Sequence, residues 1–325
     1  MVAMNKERLS WLPVALFGAV MGLSGLSLAW RLAHEHFGTP SLVADGIGWL
    51  ALTAYIAQIV GYGIKAITGF GHVKAEFRHP VTGALFGTPL ISTLLVPALL
   101  APYNLTLAHT VWWIGAAGMV ALAWHMASRW MGITQQRHHA TPAWIVPLVG
   151  LLDIPLAVPA LKFSHEPRAV MMFGLSVGLF FAIPLFTIIF ARLMFEEPLP
   201  AGGSPVLMVL LAPFSVGFSA YVITIGRVDD LAKGLLAIAG FLLLVLLGRL
   251  RHLAKCCPFR VAWWTVSFPL AATAGAALRY ATLAPSTLAD TAAVAMLTLA
   301  TVVIAGLLAR TLHGIARGEL QALAG

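Results

Sequence analysis

Residues 81–131 read VTGALFGTPLISTLLVPALLA, then PYN, then LTLAHTVWWIGAAGMVALAWHMASRWM. Both apolar segments are long enough to cross about 30 Å of hydrocarbon as a helix. The first segment holds Pro89 and Pro97, whereas the second holds no proline. Because proline removes a backbone hydrogen bond inside a helix, this stretch predicts a transmembrane hairpin with one bent and one straighter helix.

The same alternation runs through the whole chain. Interior proline occurs in every second apolar segment, and the other segments hold only Pro184. The predicted membrane spans are residues 11–32, 43–68, 81–101, 105–131, 143–163, 169–195, 204–225, 228–250, 259–283 and 286–312. The prolines of the odd spans are Pro13, Pro89, Pro97, Pro147, Pro155, Pro159, Pro205, Pro213 and Pro269.

These prolines predict how the helices are arranged. A broken helix is tolerated in a membrane where the freed carbonyls meet protein or water rather than lipid. We therefore expect the odd helices to surround a central space and the even helices to face lipid. The predicted fold class is an all-α polytopic membrane protein, with about ten helices as five hairpins in one domain over residues 1–325.

Composition and charge agree with a membrane protein. Hydrophobic residues make up 60% of the chain and charged residues 10%, against roughly 25% charged in a typical soluble domain. The net charge of +8 does not indicate nucleic-acid binding, because the basic residues lie mainly at the ends of apolar segments and form no stretch in which basic and aromatic residues alternate. Fourteen of the 20 basic residues fall on the side of the N-terminus, which predicts that both termini are cytoplasmic.

No pattern in the chain predicts a metal site, a cofactor or an enzyme. Cys256 and Cys257 are adjacent, which favours free thiols over a strained disulfide, and no metal-ligand spacing involves them. A nucleotide-binding P-loop, a nucleophile elbow and a zinc-protease motif are all missing from the sequence. A membrane-embedded enzyme or a sensory subunit is the alternative from another class.

Asp153 is the one acidic residue near the middle of a predicted span, two residues before Pro155. A carboxylate there is costly unless it faces water or a partner. One interpretation is a group that lines a conduit and takes up a proton. The other is a protonated or hydrogen-bonded side chain that satisfies backbone donors freed by the proline.

Phe268 precedes Pro269 in the ninth span, where a ring beside a kink can project into a lumen and close it. Ordinary packing of an aromatic side chain is the alternative. The first span repeats glycine at Gly18, Gly22 and Gly25. This pattern predicts either close packing of small residues or a wide lumen with exposed backbone.

Several stretches together resemble the tellurite-resistance/dicarboxylate transporter family, which includes bacterial TehA and the slow anion channel of plant guard cells. The stretches are residues 18–30, 211–221 with 230–233, 262–269 and, more weakly, 76–81. They occur in the same order as in the family, over nearly the whole chain.

The resemblance implies five hairpins around a quasi-fivefold axis, with a pore lined by the odd helices. It implies that Phe268 blocks this pore, and that the protein is a homotrimer with one pore per protomer in a bacterial inner membrane. The expected positions for pore lining or kinks are Gly18, Gly22, Pro89, Pro97, Pro155, Pro213, Ser219 and Pro269.

Two activities follow as expectations from the resemblance and from the residues. The first is an anion channel that passes small monovalent anions through a neutral pore gated by Phe268, so that its partners are small inorganic or organic anions. The second is a proton-coupled carrier of C4-dicarboxylates or of oxyanions such as tellurite or sulfite, because a fixed negative charge at Asp153 would repel anions.

Overall fold

The computed structural model describes residues 9–199, 201–250 and 259–324. Ten helices in these ranges are long and apolar enough to cross a membrane, which confirms the predicted fold class. The odd helices are α1 (Val14–Phe37), α3 (Thr82–Leu100), α5 (Pro142–Leu161), α7 (Gly203–Ile225) and α9 (Val261–Leu283). The even helices are α2 (Ser41–Thr68), α4 (Leu105–Gly132), α6 (Arg168–Phe195), α8 (Asp230–Arg249) and α10 (Thr287–Ala316). Lys6, Arg8, Arg251, Lys255, Cys256 and Cys257 lie outside the described residues.

Two helices extend further than the hydropathy pattern predicts. Helix α1 was expected to end at residue 32, but it continues to Phe37 and stops at Gly38, whose φ of 69° is left-handed. Helix α10 continues to Ala316, beyond the expected residue 312. An apolar pattern marks only the part of a helix that fits the hydrocarbon, whereas backbone hydrogen bonds carry the helix on into polar sequence.

The odd helices form the interior of the bundle. In the most apolar 18-residue window of each odd helix, 67–83% of the residues are buried, against 17–33% in the even helices. Helix α1 packs on α3, α3 on α5, α5 on α7 and α7 on α9, and α9 returns to α1. Each even helix packs on the odd helix before it. The chain is therefore a closed inner ring of five helices inside an outer layer of five.

The prolines mark a change of helix type more than a bend in a continuous α-helix. Every odd helix begins with a 3₁₀ segment and then continues as an α-helix. Pro89, Pro213 and Pro269 occupy the second or third residue of the α-helical part. A missing N–H is tolerated in the first turn of a helix, so these prolines fit the junction. Pro97 lies inside the α-helical part of α3, and Pro155 lies in a break in α5.

Hydroxyl groups from neighbouring helices satisfy the irregular backbone at the start of α1. Non-helical backbone at membrane depth is stable only where such partners exist. The bonds run from Thr88 Oγ1 to the Val14 carbonyl (3.0 Å), from Ser92 Oγ to the Phe17 carbonyl (3.2 Å) and from Ser267 Oγ to the Gly18 carbonyl (3.2 Å). These contacts fix α3 and α9 against the same turn of α1.

The connection between α2 and α3 contains a helix, Phe70–Arg78, which lies outside the predicted membrane spans. Glu76 of this connecting helix accepts a hydrogen bond from Lys65 Nζ at 2.7 Å and from the Tyr62 hydroxyl at 2.9 Å. Its other oxygen accepts the Val14 backbone N–H at 2.8 Å. Because Lys65 is 3% exposed, this ion pair is buried, and it joins α2 to the start of α1.

Candidate functional site: two chambers inside the ring of odd helices

The first chamber lies between the odd helices near the end where these helices begin. This end, which carries the predicted cytoplasmic connections, is called the inner end. The cavity volume of the inner chamber is about 50 Å³. All five odd helices contribute to its lining, through Gly18, Thr88, Asp153, Val216 and Phe268 among others. Apart from a few polar groups, its wall is apolar.

A second chamber, the outer chamber, lies further along the same helices. Its cavity volume is about 40 Å³, and it is again lined from all five odd helices. The contributing residues include Gly25 of α1, Leu95 of α3, Leu156 of α5, Ser219 of α7 and Gly275 of α9. Both chambers therefore lie on the axis of the inner ring.

Phe268 and Val216 line both chambers and so lie between them. The Phe268 side chain is only 6% exposed. Its ring rests on Gly25 of α1, where a Cβ atom would lie 3.3 Å from Phe268 Cδ2. The absence of a side chain at Gly25 is what gives the ring room at this level of the bundle.

The backbone around Phe268 is anchored on two neighbouring helices. Ser267 Oγ donates to the Trp264 carbonyl at 2.6 Å and lies 3.2 Å from the Gly18 carbonyl of α1. The Trp264 indole N–H donates to Thr311 Oγ1 of α10 at 2.9 Å. These bonds fix the junction of 3₁₀ and α-helix from which the Phe268 ring projects.

Asp153 ends the 3₁₀ segment Gly150–Asp153 of α5 and lines the inner chamber. Its side chain is 2% exposed, and Oδ1 has no hydrogen-bond partner among the described residues. The carboxyl group thus does not satisfy backbone donors near Pro155. It faces the central space from the inner side of Phe268.

Residues 12–312 match the family model SLAC1, described as voltage-dependent anion channel. The chain belongs to the SLAC1 voltage-dependent anion channel family. The match includes nine of the ten helices completely and all but the last turn of α10. The resemblance inferred from the sequence motifs is confirmed.

The relatives of the chain are named as anion channels and as a tellurite resistance protein. The S-type anion channel SLAH3 of Arabidopsis thaliana is 27% identical over 308 residues, which cover 92% of this chain and 48% of the plant protein. The guard cell S-type anion channel SLAC1 of the same plant is 25% identical, over 84% of this chain and 50% of its own length. The tellurite resistance protein TehA homologue of Haemophilus influenzae is 30% identical over 83% of this chain and 81% of its own length. The chain thus spans about half the length of these plant relatives.

The residues predicted for the SLAC1-family pore are divided by the structure into two groups. Gly18 and Pro269 line the inner chamber, and Ser219 lines the outer chamber. Gly22 instead faces α9, where a Cβ atom would lie 2.1 Å from Ser267 Oγ. The prolines that line neither chamber are Pro89, Pro97, Pro155 and Pro213. Gly22 thus permits close helix packing.

Arg279 has a place in the site that the sequence analysis did not recognise. It was given no role in the pore from the sequence, but it lines the outer chamber. The signal was its spacing from Phe268, because residues 268, 272, 275 and 279 follow one face of a helix. Within the described residues, no group of three His, Cys, Asp or Glu side chains could hold a metal ion.

Proposed function

We propose that this SLAC1-family protein conducts small monovalent anions along the axis of its inner ring, and that Phe268 closes the pathway. The observation that carries the proposal is the position of Phe268, which lines both the inner and the outer chamber. Removal of this ring would join two spaces that already lie on one axis. An apolar constriction blocks ions by steric bulk and by excluding water.

The charges around the pathway support a preference for anions. The chain carries a net charge of +8, and the described part of the chamber walls holds one basic side chain, Arg279, and one acidic side chain, Asp153. Basic groups at the mouths of a neutral lumen raise the local concentration of anions. An ionised Asp153 would repel an anion at 4 Å by about 1 kcal/mol in water and several-fold more at lower dielectric, so channel activity requires a neutral carboxyl group.

A planar bilayer recording of purified protein tests the proposal. Phe268→Ala should raise the current well above wild type, with a reversal potential near the anion equilibrium potential, about 59 mV for a tenfold gradient of a monovalent salt. The matched control is Phe180→Ala, which removes the same ring from the lipid-facing side of α6, where it is 68% exposed. A folded Phe268→Ala protein without added current, or with a cation reversal potential, would rule the channel out.

A proton-coupled carrier of dicarboxylates or oxyanions is the second candidate, and Asp153 is the observation that favours it. A buried carboxyl group with an unpartnered oxygen, facing the central chamber, can bind and release a proton as the substrate passes. In this case a proton gradient should drive uptake of succinate or tellurite into liposomes. Uptake that ignores the gradient, or that Asp153→Asn leaves unaltered, excludes the coupling.

Assembly and location are proposed together with the function. We propose a homotrimer with one pathway per protomer, in a bacterial inner membrane, with both termini in the cytoplasm. The family resemblance supports the trimer, and the distribution of basic residues supports the orientation. Native mass spectrometry in detergent tests the first proposal, and protease accessibility of terminal tags in spheroplasts tests the second.

A further inference from the structure

The outer chamber contains one cation, and it lies on the same helix face as Phe268. Phe268, Ala272, Gly275 and Arg279 of α9 all line this chamber. The eleven residues between Phe268 and Arg279 correspond to about three helical turns and about 16 Å along the axis. Arg279 is thus placed at the outer end of the chamber, on the side opposite Asp153.

The Arg279 guanidinium has no hydrogen-bond or ion-pair partner among the described residues. Arg31 of the neighbouring helix α1 differs, because it donates to the Ala98 carbonyl at 2.9 Å and lies 3.5 Å from Asp45 Oδ1. Glu35 is the acidic residue whose charge acts on Arg279, yet the two form no ion pair. Helix α1 supplies an acidic neighbour at the rim, but no partner for the guanidinium inside the chamber.

We propose that Arg279 is the external binding site for the transported anion, which occupies the outer chamber before it reaches Phe268. This inference rests on the proposed function, since it places the permeant ion on that pathway. A guanidinium group offers five N–H donors in a planar fork that fits two oxygens of one anion. The expected ligands are therefore planar oxyanions, such as nitrate or a small carboxylate, ahead of chloride. Among the described residues, no basic side chain lines the inner chamber, so this anion site is present only on the outer side of Phe268.

Thermal unfolding of the purified protein in detergent tests the site without any transport. Nitrate should raise the Tm of wild type, and above its Kd the stabilisation should grow with the logarithm of the nitrate concentration. Arg279→Gln should weaken the apparent affinity for nitrate at least tenfold, as expected for the loss of hydrogen bonds to a charged group. Arg279→Lys keeps the positive charge but lacks the planar fork of guanidinium N–H donors. It should therefore weaken nitrate binding more than chloride binding. The control is Arg168→Gln, an exposed cation at the same end that lines neither chamber.

The same variants in the Phe268→Ala background separate this inference from the proposed function. If Phe268→Ala conducts, Arg279→Gln should raise the half-saturating external nitrate concentration about tenfold and leave the internal value unchanged. If the Phe268→Ala protein conducts and the Arg279→Gln and Arg168→Gln variants have equal nitrate affinity, the proposed binding site is ruled out. The proposed channel function is then unaffected. If the Phe268→Ala protein carries no current, the channel proposal is ruled out. The nitrate dependence of the Tm then tests the Arg279 binding site by itself. Should Arg279→Gln fail to fold, the nitrate-to-chloride affinity ratio of Arg279→Lys decides the question, and a ratio equal to that of wild type overturns the site.

Discussion

Gly25 of α1 packs directly against the ring of Phe268 on the neighbouring helix α9. A methyl group at residue 25 would lie 3.3 Å from Phe268 Cδ2 and 3.1 Å from the Ala271 Cβ. These distances are shorter than ordinary van der Waals contact between carbon atoms. The ring of Phe268 therefore depends on a glycine in the neighbouring helix for its position between the two chambers.

Gly25→Ala is the first prediction. The added methyl group should push the ring away from α1 and raise the basal anion current, to a level between wild type and Phe268→Ala. The control is Gly275→Ala, because a Cβ atom there comes no closer than 4.0 Å, to Leu32, although Gly275 lines the same chamber. Equal currents from the two alanine variants in planar bilayers would show that residue 25 does not position the ring.

The buried ion pair of Lys65 and Glu76 gives the second prediction. Lys65→Met leaves the Glu76 carboxylate without its cation and should destabilise the protein by about 3–5 kcal/mol. The double variant Lys65→Met/Glu76→Gln should recover most of this loss, because the amide oxygen can still accept the Val14 N–H while the amide NH2 donates to the Tyr62 hydroxyl oxygen. Thermal unfolding in detergent measures both effects. A single variant as stable as wild type would contradict the assigned role of the pair.

The turn between α7 and α8 gives a prediction with pH dependence. The Tyr221 hydroxyl donates to Asp229 Oδ2 at 2.5 Å and lowers the pKa of that carboxyl group, with help from the Ala232 N–H and from Arg227. A lowered folded-state pKa stabilises the protein above the unfolded pKa, and this stabilisation is lost as the pH falls through the folded value. Asp229→Asn should therefore lower the Tm at pH 7, and the difference from wild type should shrink as the pH falls below the unfolded Asp pKa of about 3.9. A difference that stays constant from pH 7 to pH 3 would argue against this linkage.

Much of the architecture was predictable because proline and apolar length are local signals with direct consequences in a membrane. Nine interior prolines in odd segments and Pro184 alone in the even ones were enough to separate inner from outer helices. Residues 286–290 also indicated the start of α10, where Ser286 caps the helix by accepting the Ala289 N–H at 3.2 Å. Each of these signals lies within a few residues of the structural feature that it predicts.

The features that the sequence did not reveal depend on contacts between distant residues. The ion pair of Lys65 and Glu76 joins the end of α2 to the connecting helix Phe70–Arg78. Arg279 looked like one more basic residue at a membrane edge, because its spacing from Phe268 indicates a pore-facing position only if the Phe268 ring is known to face the axis. Gly22 and Gly25 are three residues apart in the same pattern, yet the first faces Ser267 and the second faces the Phe268 ring. The two glycines have different roles because the rotation of α1 about its axis sets which residue of α9 each of them faces.

The central claim is that Phe268 divides one continuous passage, and thiol accessibility tests it most directly. In a chain with Cys256 and Cys257 replaced by serine, Ser219→Cys reports on the outer chamber and Ala15→Cys on the inner chamber. A membrane-impermeant anionic methanethiosulfonate should label Ser219→Cys in spheroplasts and Ala15→Cys in inside-out vesicles, each from one side only. With Phe268→Ala added, both cysteines should become reactive from both sides. Labelling from both sides with the ring present, or one-sided labelling that persists without it, would contradict the claim.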